Sequence, residues 1–224
     1  MSNYLTSSAD LTSVANAIRS HFGFSSSIEY PAEFVSTILG PNDHNDAYWN
    51  GALSGIISGN LSSIPDYTFQ SMSGITGASF PECERIGLQA FGSCTGLVSA
   101  YFQGCLNVGQ AAFSGCTNLS VLSLPNVQTL GGYNTFDSAN NLKTLSLPKL
   151  VQLSSNTFAR CGIMSLYLMG SSYVSMSAYT IDDVFPSSPL SAGGSGTIYV
   201  PTSMLATYKS MFGWSIISAR FRGI

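Results

Sequence analysis

Five cysteines, two histidines and a few closely spaced carboxylates are the side chains here with reactive potential. Cys83, Cys94, Cys105, Cys116 and Cys161 contain no CxxC pair, and two histidines do not complete a structural zinc site. Their odd number fits poorly with a disulfide framework. Asp43, His44 and Asp46 have the donor types for a metal, but a solvated turn explains them with fewer demands. Glu82 and Glu84 alternate like a carboxylate pair for glycoside hydrolysis. Nothing around them suggests a sugar cleft, so they too read as a solvated turn, as do Asp182 and Asp183. His21 lies near the end of an N-terminal helical pattern without a partner for general base work. No GxSxG, HExxH or P-loop occurs. The expectation is a non-enzymatic chain with no catalytic residues, no metal site and no cofactor.

The elements that position these residues repeat. Phe69, Phe91, Phe113, Phe136 and Phe158 are spaced by 22, 22, 23 and 22 residues. Three residues after each comes Met72, Cys94, Cys116, Ala139 or Cys161. Ile75, Leu97, Leu119 and Leu142 follow three further on, with Ile163 one residue early in the fifth copy. An alternating pair closes each unit: Ala78/Phe80, Ala100/Phe102, Leu122/Leu124, Leu145/Leu147 and Leu166/Leu168. Period two marks a short strand with one buried face, so successive units stack their strands into a parallel sheet. The Phe and the small residue after it sit one helical turn apart on the facing side. One unit cannot bury its own apolar face, so stability comes from stacking. Cys94, Cys116 and Cys161 then share one internal column, and Cys83 and Cys105 another. They read as small buried hydrophobes. A disulfide between neighbouring coils remains geometrically open, since stacked strands lie about 4.8 Å apart.

Outward residues between the buried pairs form a row: Ser79, Tyr101, Ser123, Ser146, Tyr167 and Tyr199. Beside it run Gly77, Ser99, Val121, Thr144, Ser165 and Thr197. Tyr with Ser gives contact area at low entropy cost and suits glycan stacking. Tyr is also simply a good strand former on an exposed face. Tyr101, Ser123, Ser146, Tyr167 and Tyr199 are the candidate binding residues.

The segments IGLQAFGSCTGLVSAYF (Ile86–Phe102) and VGQAAFSGCTNLSVLSLP (Val108–Pro125) resemble the BspA-type leucine-rich repeat, with its IgxxAFxxCxxLxxvxlP unit. The resemblance covers residues 61–170. It implies an α/β leucine-rich-repeat solenoid of five ~22-residue repeats around a parallel β-sheet, and a role in adhesion or binding.

The ends differ from the repeats. Asp10 can cap a helix with Leu11, Val14, Ala15, Ile18 and Phe22 on one stripe. Pro31 can open a second helix with Phe34, Val35, Ile38 and Leu39 apolar, ended by Gly40. Residues 1–40 are thus expected to form a helical hairpin, with Leu11, Val14, Ile18, Phe34 and Ile38 as candidate assembly residues. From Tyr4 to Gly40 the chain resembles an N-terminal module of structural and tail-associated proteins of phages that infect Gram-positive bacteria. Residues 41–60 read as a Gly/Asn-rich linker. Residues 171–224 read as an irregular last repeat and a C-terminal cap. In them Ile198 and Val200 restore the strand, a short helix carries Leu205, Tyr208 and Met211/Phe212, and Trp214, Ile216 and Ile217 cover the last coil.

Composition narrows the partners. Only 8% of residues are charged, where about 25% is ordinary. A net charge of −3 excludes a nucleic-acid binder that works by phosphate neutralisation and argues against a polybasic membrane-surface protein. No apolar window is long enough for a membrane span. The first ten residues lack a basic n-region and an apolar h-region, and so do not read as a secretory signal. With the two resemblances, the expected function is a phage virion structural protein, in the tail, baseplate or capsid decoration. It would be assembled in the host cytoplasm and bound to other virion proteins through its N-terminal module. Its solenoid would project toward host-surface polysaccharide or protein, in several copies on a particle or as a homo-oligomer. The alternative is a bacterial cell-surface BspA-like adhesin. A glycan-processing enzyme is a weaker third.

Overall fold

The computed structural model describes residues 54–176 and 181–224. The expected N-terminal hairpin, including Leu11, Val14, Ile18, Phe34 and Ile38, lies outside the described residues, as do His21, His44 and the first part of the linker.

The chain winds as a stack of coils, each with three sides. The first side is the main parallel surface, made of β1 (Gly55–Ser58), β3 (Ile75–Ser79), β5 (Ser99–Tyr101), β7 (Val121–Ser123), β9 (Thr144–Ser146), β11 (Ser165–Tyr167), β13 (Thr197–Val200) and β14 (Phe221–Gly223). Its inward residues Ala78, Ala100, Leu122, Leu145, Leu166 and Ile198 are all buried, as the period-two pattern requires. The surface is not one continuous ladder. Strands β1-β3-β5-β7 form one sheet and β14-β13-β11-β9 another, with an interruption between β7 and β9. That interruption borders the coil with the 23-residue spacing, whose extra residue lies at Gly131-Gly132-Tyr133. Thr135 in this coil also loses a bond. Thr68 and Thr157 each donate to the carbonyl three residues back. The buried hydroxyl of Thr135 has no such partner, because Gly132 at that distance is turned into the left-handed region at φ 100°.

The second side is a six-stranded parallel sheet of two-residue strands: β2 (Ser63–Ile64), β4 (Arg85–Ile86), β6 (Asn107–Val108), β8 (Thr129–Leu130), β10 (Gln152–Leu153) and β12 (Ser175–Met176). Its inward residues Ile64, Ile86, Val108, Leu130 and Leu153 are buried, while Ser63, Arg85, Asn107, Thr129 and Gln152 face solvent. The glycines after two of these strands are required by close approach. A Cβ at Gly109 would stand 2.5 Å from the carbonyl carbon of Gly87, and one at Gly87 would stand 2.5 Å from the Asp66 nitrogen.

The third side consists of single turns rather than helices. In each, the small residue's N–H donates to the Phe carbonyl three residues back, as Cys94 does to Phe91 at 3.1 Å. Residues two before and two after the Phe take left-handed conformations although most are not glycine: Gln89 and Ser93, Ala111 and Gly115, Asn134 and Ser138, Asn156 and Arg160. Each non-glycine residue held there costs about 1 kcal/mol or more. Stacking offsets this cost, because the backbone N–H groups at these positions reach the next coil. Gln89, Phe91 and Ser93 donate to Gln110, Ala112 and Ser114 at 2.9, 2.9 and 2.7 Å.

The Phe side chains form a continuous ladder, with ring centroids of Phe69–Phe91, Phe91–Phe113, Phe113–Phe136 and Phe136–Phe158 5.1 to 5.9 Å apart. The ladder has a sixth rung. Phe185 stacks on Phe158 at 5.3 Å, and the backbone of Asn156, Phe158 and Arg160 donates to Asp183, Val184 and Pro186. Residues expected as an irregular last repeat thus carry a further rung of the Phe ladder, 27 residues on, so five repeats is an undercount. At the other end β1 falls inside the expected linker 41–60, yet pairs in parallel with β3.

The C-terminal residues close the stack. Short helices α1 (Ile181–Val184) and α2 (Leu205–Ser210) and a 3-10 segment, Trp214–Arg220, precede β14. Trp214 meets Phe185 at 6.2 Å and seals the ladder. Its indole N–H donates to the Val174 carbonyl, and the Tyr208 hydroxyl accepts from the Val174 N–H, both at 2.8 Å. Two expected cap residues do not cover the coil. Phe212 is 89% exposed and Ile216 57% exposed, because the turn at Gly213 and the 3-10 period direct Trp214 and Ile217 inward instead.

Candidate binding surface

The described residues contain no group of three or more His, Cys, Asp or Glu side chains that could hold a metal, and no helix long and apolar enough to cross a membrane. Glu82 and Glu84 are exposed on a turn. Asp183 begins the Phe185 turn, where its carbonyl accepts from Asn156. The side chain of Asp182 lies outside the described residues.

All five cysteines are buried free thiols. Cys94 and Cys116 donate to the carbonyls of Phe69 and Phe91 at 2.8 and 3.0 Å, one coil back. Burial pushes the Cys94 thiol up to about 12 and Cys161 up to about 11. Cys105 is pushed to about 12 by burial first and then by the neighbouring Cys83. Burial also carries Cys116 well above the ordinary thiol range. Only the thiolate is nucleophilic, and burial disfavours that form in all five.

The outward face of the main surface is where candidate residues converge. Register places Ser79, Tyr101 and Ser123 side by side on β3, β5 and β7. Ser146, Tyr167 and Tyr199 continue on β9, β11 and β13. The expected second row is also in register, as Gly77, Ser99 and Val121 and then Thr144, Ser165 and Thr197. No charged residue enters either row between Ser79 and Tyr199. The sequence reading missed the next member: Arg222 on β14 lies beside Tyr199. Its strand shows a single alternation, too short for a period to be read.

The tyrosines present two different surfaces. Tyr167 and Tyr199 stack with centroids 4.5 Å apart and planes 12° from parallel. Each therefore spends one ring face on the other, leaving edges and hydroxyls outward. Their remaining faces look toward Ser146 and Arg222. Tyr101 is 42% exposed and has serine on both sides, with no ring partner among the described residues. Between Tyr101 and Tyr167 the floor is Ser123 and Ser146, flanked by Val121 at 45% exposure. The Gln103 amide donates to the Ser123 hydroxyl at 3.2 Å, which orients one floor group. The result is an uncharged strip in which tyrosine rings stand beside serine hydroxyls.

Coils of parallel strands closed by a Phe ladder, with a polar outer face, define a leucine-rich-repeat solenoid. The BspA type leucine rich repeat region matches residues 47–181 in six copies, and the chain belongs to that family. No curated protein matches. Among solved structures, it is similar to the T. pallidum leucine rich repeat protein, at 17% identity and a TM-score of 0.48 over 59% of this chain and 78% of that one. It is also similar to a leucine rich cell surface protein from Faecalibacterium prausnitzii, at 17% identity and a TM-score of 0.42. That match covers 64% of this chain and 40% of the other. The repeat family is a non-enzymatic binding scaffold.

Proposed function

We propose that the protein is an adhesin-like scaffold, displayed at a cell surface, that binds an uncharged partner on the outward face of its main sheet. The observation that carries this reading is the pair of in-register runs on the outward face, Ser79, Tyr101 and Ser123 on one sheet and Ser146, Tyr167 and Tyr199 on the next. Aromatic edges and hydroxyls without charge suit a neutral polymer such as cell-wall polysaccharide, through stacking and hydrogen bonds. Binding of the purified chain to host-surface polysaccharide, with the Tyr101→Ala/Tyr167→Ala/Tyr199→Ala triple variant as comparison, tests it. Equal binding by parent and variant would move the site elsewhere, first to the Phe185–Gly196 segment.

The virion reading rests on the resemblance of residues Tyr4–Gly40 to a phage structural module. In that reading the solenoid is the projecting part, and Leu11, Val14, Ile18, Phe34 and Ile38 dock to other virion proteins. Mass spectrometry of purified particles tests it, and absence of the chain from them leaves the adhesin.

A further inference from the structure

A guanidinium grips a carboxylate best along the edge formed by Nε and Nη2, through two parallel hydrogen bonds. Arg160 makes this contact within the molecule, donating from Nε to one Asp137 oxygen at 2.9 Å and from Nη2 to the other at 2.6 Å. Arg85 spends Nη2 on Asp66, and Arg220 spends Nη2 on the Ala192 carbonyl. Arg222 is arranged differently. Its Nη1 donates to the Ala219 and Phe221 carbonyls at 2.8 and 2.9 Å, and its Nε and Nη2 meet no acceptor among the described residues. One nitrogen thus holds the side chain in place at an exposed residue, and the carboxylate-gripping edge is left unused.

The place of Arg222 in the fold gives that edge a context. β14 is the last strand of its sheet, and register sets Arg222 beside Tyr199, which itself stands beside Tyr167. The outward row therefore ends in a stacked aromatic pair followed by a guanidinium. At its other end the row begins with Ser58 and Ser79, which carry no charge. After Asp183 the sequence holds Lys209, Arg220 and Arg222 and no Asp or Glu. No described carboxylate pairs with Arg222.

We infer that Arg222 is an acidic-sugar subsite at the cap end of the tyrosine row, gripping a carboxylate of a glycan whose neutral sugars lie on Tyr167 and Tyr199. This rests on the row as a glycan site and narrows its ligand. The polymer is uncharged where it crosses Ser79 to Tyr199 and carries a carboxylate, as a uronic acid does, where it passes β14. Arg160 on Asp137 is the chemical precedent inside the same chain. A cation at one end of the row only also fixes the direction in which such a polymer lies.

Two polymers with one backbone test this by calorimetry on the full chain: fully methyl-esterified polygalacturonate, and the same polymer with a minority of its carboxylates left unesterified. The parent should bind the part-acid form about tenfold more tightly at about 0.1 M salt, the scale of one charge-assisted contact, and the preference should shrink at about 1 M. Arg222→Gln should bind both forms alike, at the parent's affinity for the neutral one. Arg222→Lys keeps the charge without the edge and should recover only part of the preference. Lys209→Gln removes an equal charge from α2, off the sheet face, and should leave the preference intact. Arg222 also holds two cap carbonyls, so a melting curve accompanies each variant, and where Arg222→Gln melts early the Arg222→Lys variant decides. Equal affinity of the parent for the two forms, or an equal loss in Lys209→Gln and Arg222→Gln, overturns the inference and leaves the row a neutral-glycan site. A Tyr101→Ala/Tyr167→Ala/Tyr199→Ala variant that binds the part-acid form like the parent overturns the row, and the subsite with it. So does a parent that binds neither form.

Discussion

The Cys116 thiol donates a hydrogen bond to the carbonyl of Phe91, 3.0 Å away and 25 residues earlier. Cys94 repeats the contact with Phe69 at 2.8 Å. A buried S–H thus links each of these two coils to the one before it at the foot of the Phe ladder. Alanine would fill the same column without the donor, and Ala139 does so in the next coil.

These thiols should make the fold sensitive to alkali. Their folded pKa values lie above the ordinary 9.0, at about 12 for Cys94 and Cys105 and about 11 for Cys161. The neutral form is favoured in the folded state, so the stabilisation is complete below pH 9 and is lost as pH rises toward 11 to 12. Each unfolded thiol that ionises first contributes up to about 1.4 kcal/mol per pH unit. Denaturant midpoints should therefore fall steeply above pH 9, and Cys94→Ala should flatten the fall. A thiol reagent should leave native protein unlabelled at neutral pH and label it on unfolding. Rapid native labelling at Cys94 or Cys116 would contradict the buried columns.

Truncating the ladder should be expensive at its centre. Phe113 is wholly buried, stacked on Phe91 at 5.4 Å and on Phe136 at 5.9 Å. Phe113→Ala removes a ring from two interfaces and should cost ~3–5 kcal/mol in chemical denaturation. An unchanged midpoint would show that the ladder does not carry the stacking.

The Arg160–Asp137 and Arg85–Asp66 ion pairs should behave differently. Arg160 makes a two-pronged contact with Asp137, at 2.9 and 2.6 Å, and the carboxylate is only 10% exposed. Arg85 meets Asp66 at 3.4 Å with both side chains about half exposed. Arg160→Ala strands a nearly buried carboxylate, whereas Arg85→Ala exposes a hydrated one. Thermal melts should show a larger loss for Arg160→Ala. Equal losses would mean that water reaches Asp137.

The main surface and the outward row were legible because both rest on period two, and the ladder because Phe recurs at nearly constant spacing. Phe185 was hidden by the longer coil before it, although Ile198 and Val200 already marked its strand. The second sheet escaped because a two-residue strand has no period. Its signal was a single apolar residue ahead of each Phe, at Ile64, Ile86, Val108, Leu130 and Leu153. The left-handed turns were not readable either, since Gln89, Ser93 and Arg160 lack the glycine that usually announces them. Coil-to-coil hydrogen bonds impose that conformation, and no residue type encodes it locally. The exposure of Phe212 and Ile216 was missed because composition alone does not reveal which face of a short 3-10 turn points inward.

Binding should depend little on salt and strongly on the tyrosines. No charged side chain lies in the two outward rows between Ser79 and Tyr199, so steering by charge has little to act on there. Affinity for a neutral polysaccharide should change less than about threefold between about 0.1 and 1 M salt, where surface charge effects are largely screened. Tyr101→Ala should weaken it most among single variants, because among the described residues that ring stacks on no other and is 42% exposed. Tyr167→Ala or Tyr199→Ala alone removes one member of a stacked pair and frees a face on the other, so part of the contact survives. The triple variant should abolish binding while the melting curve shifts little, since these rings point away from the core. Steep salt dependence, or a triple variant that binds like the parent, would place recognition off the sheet face, with Phe185–Gly196 the next segment to mutate.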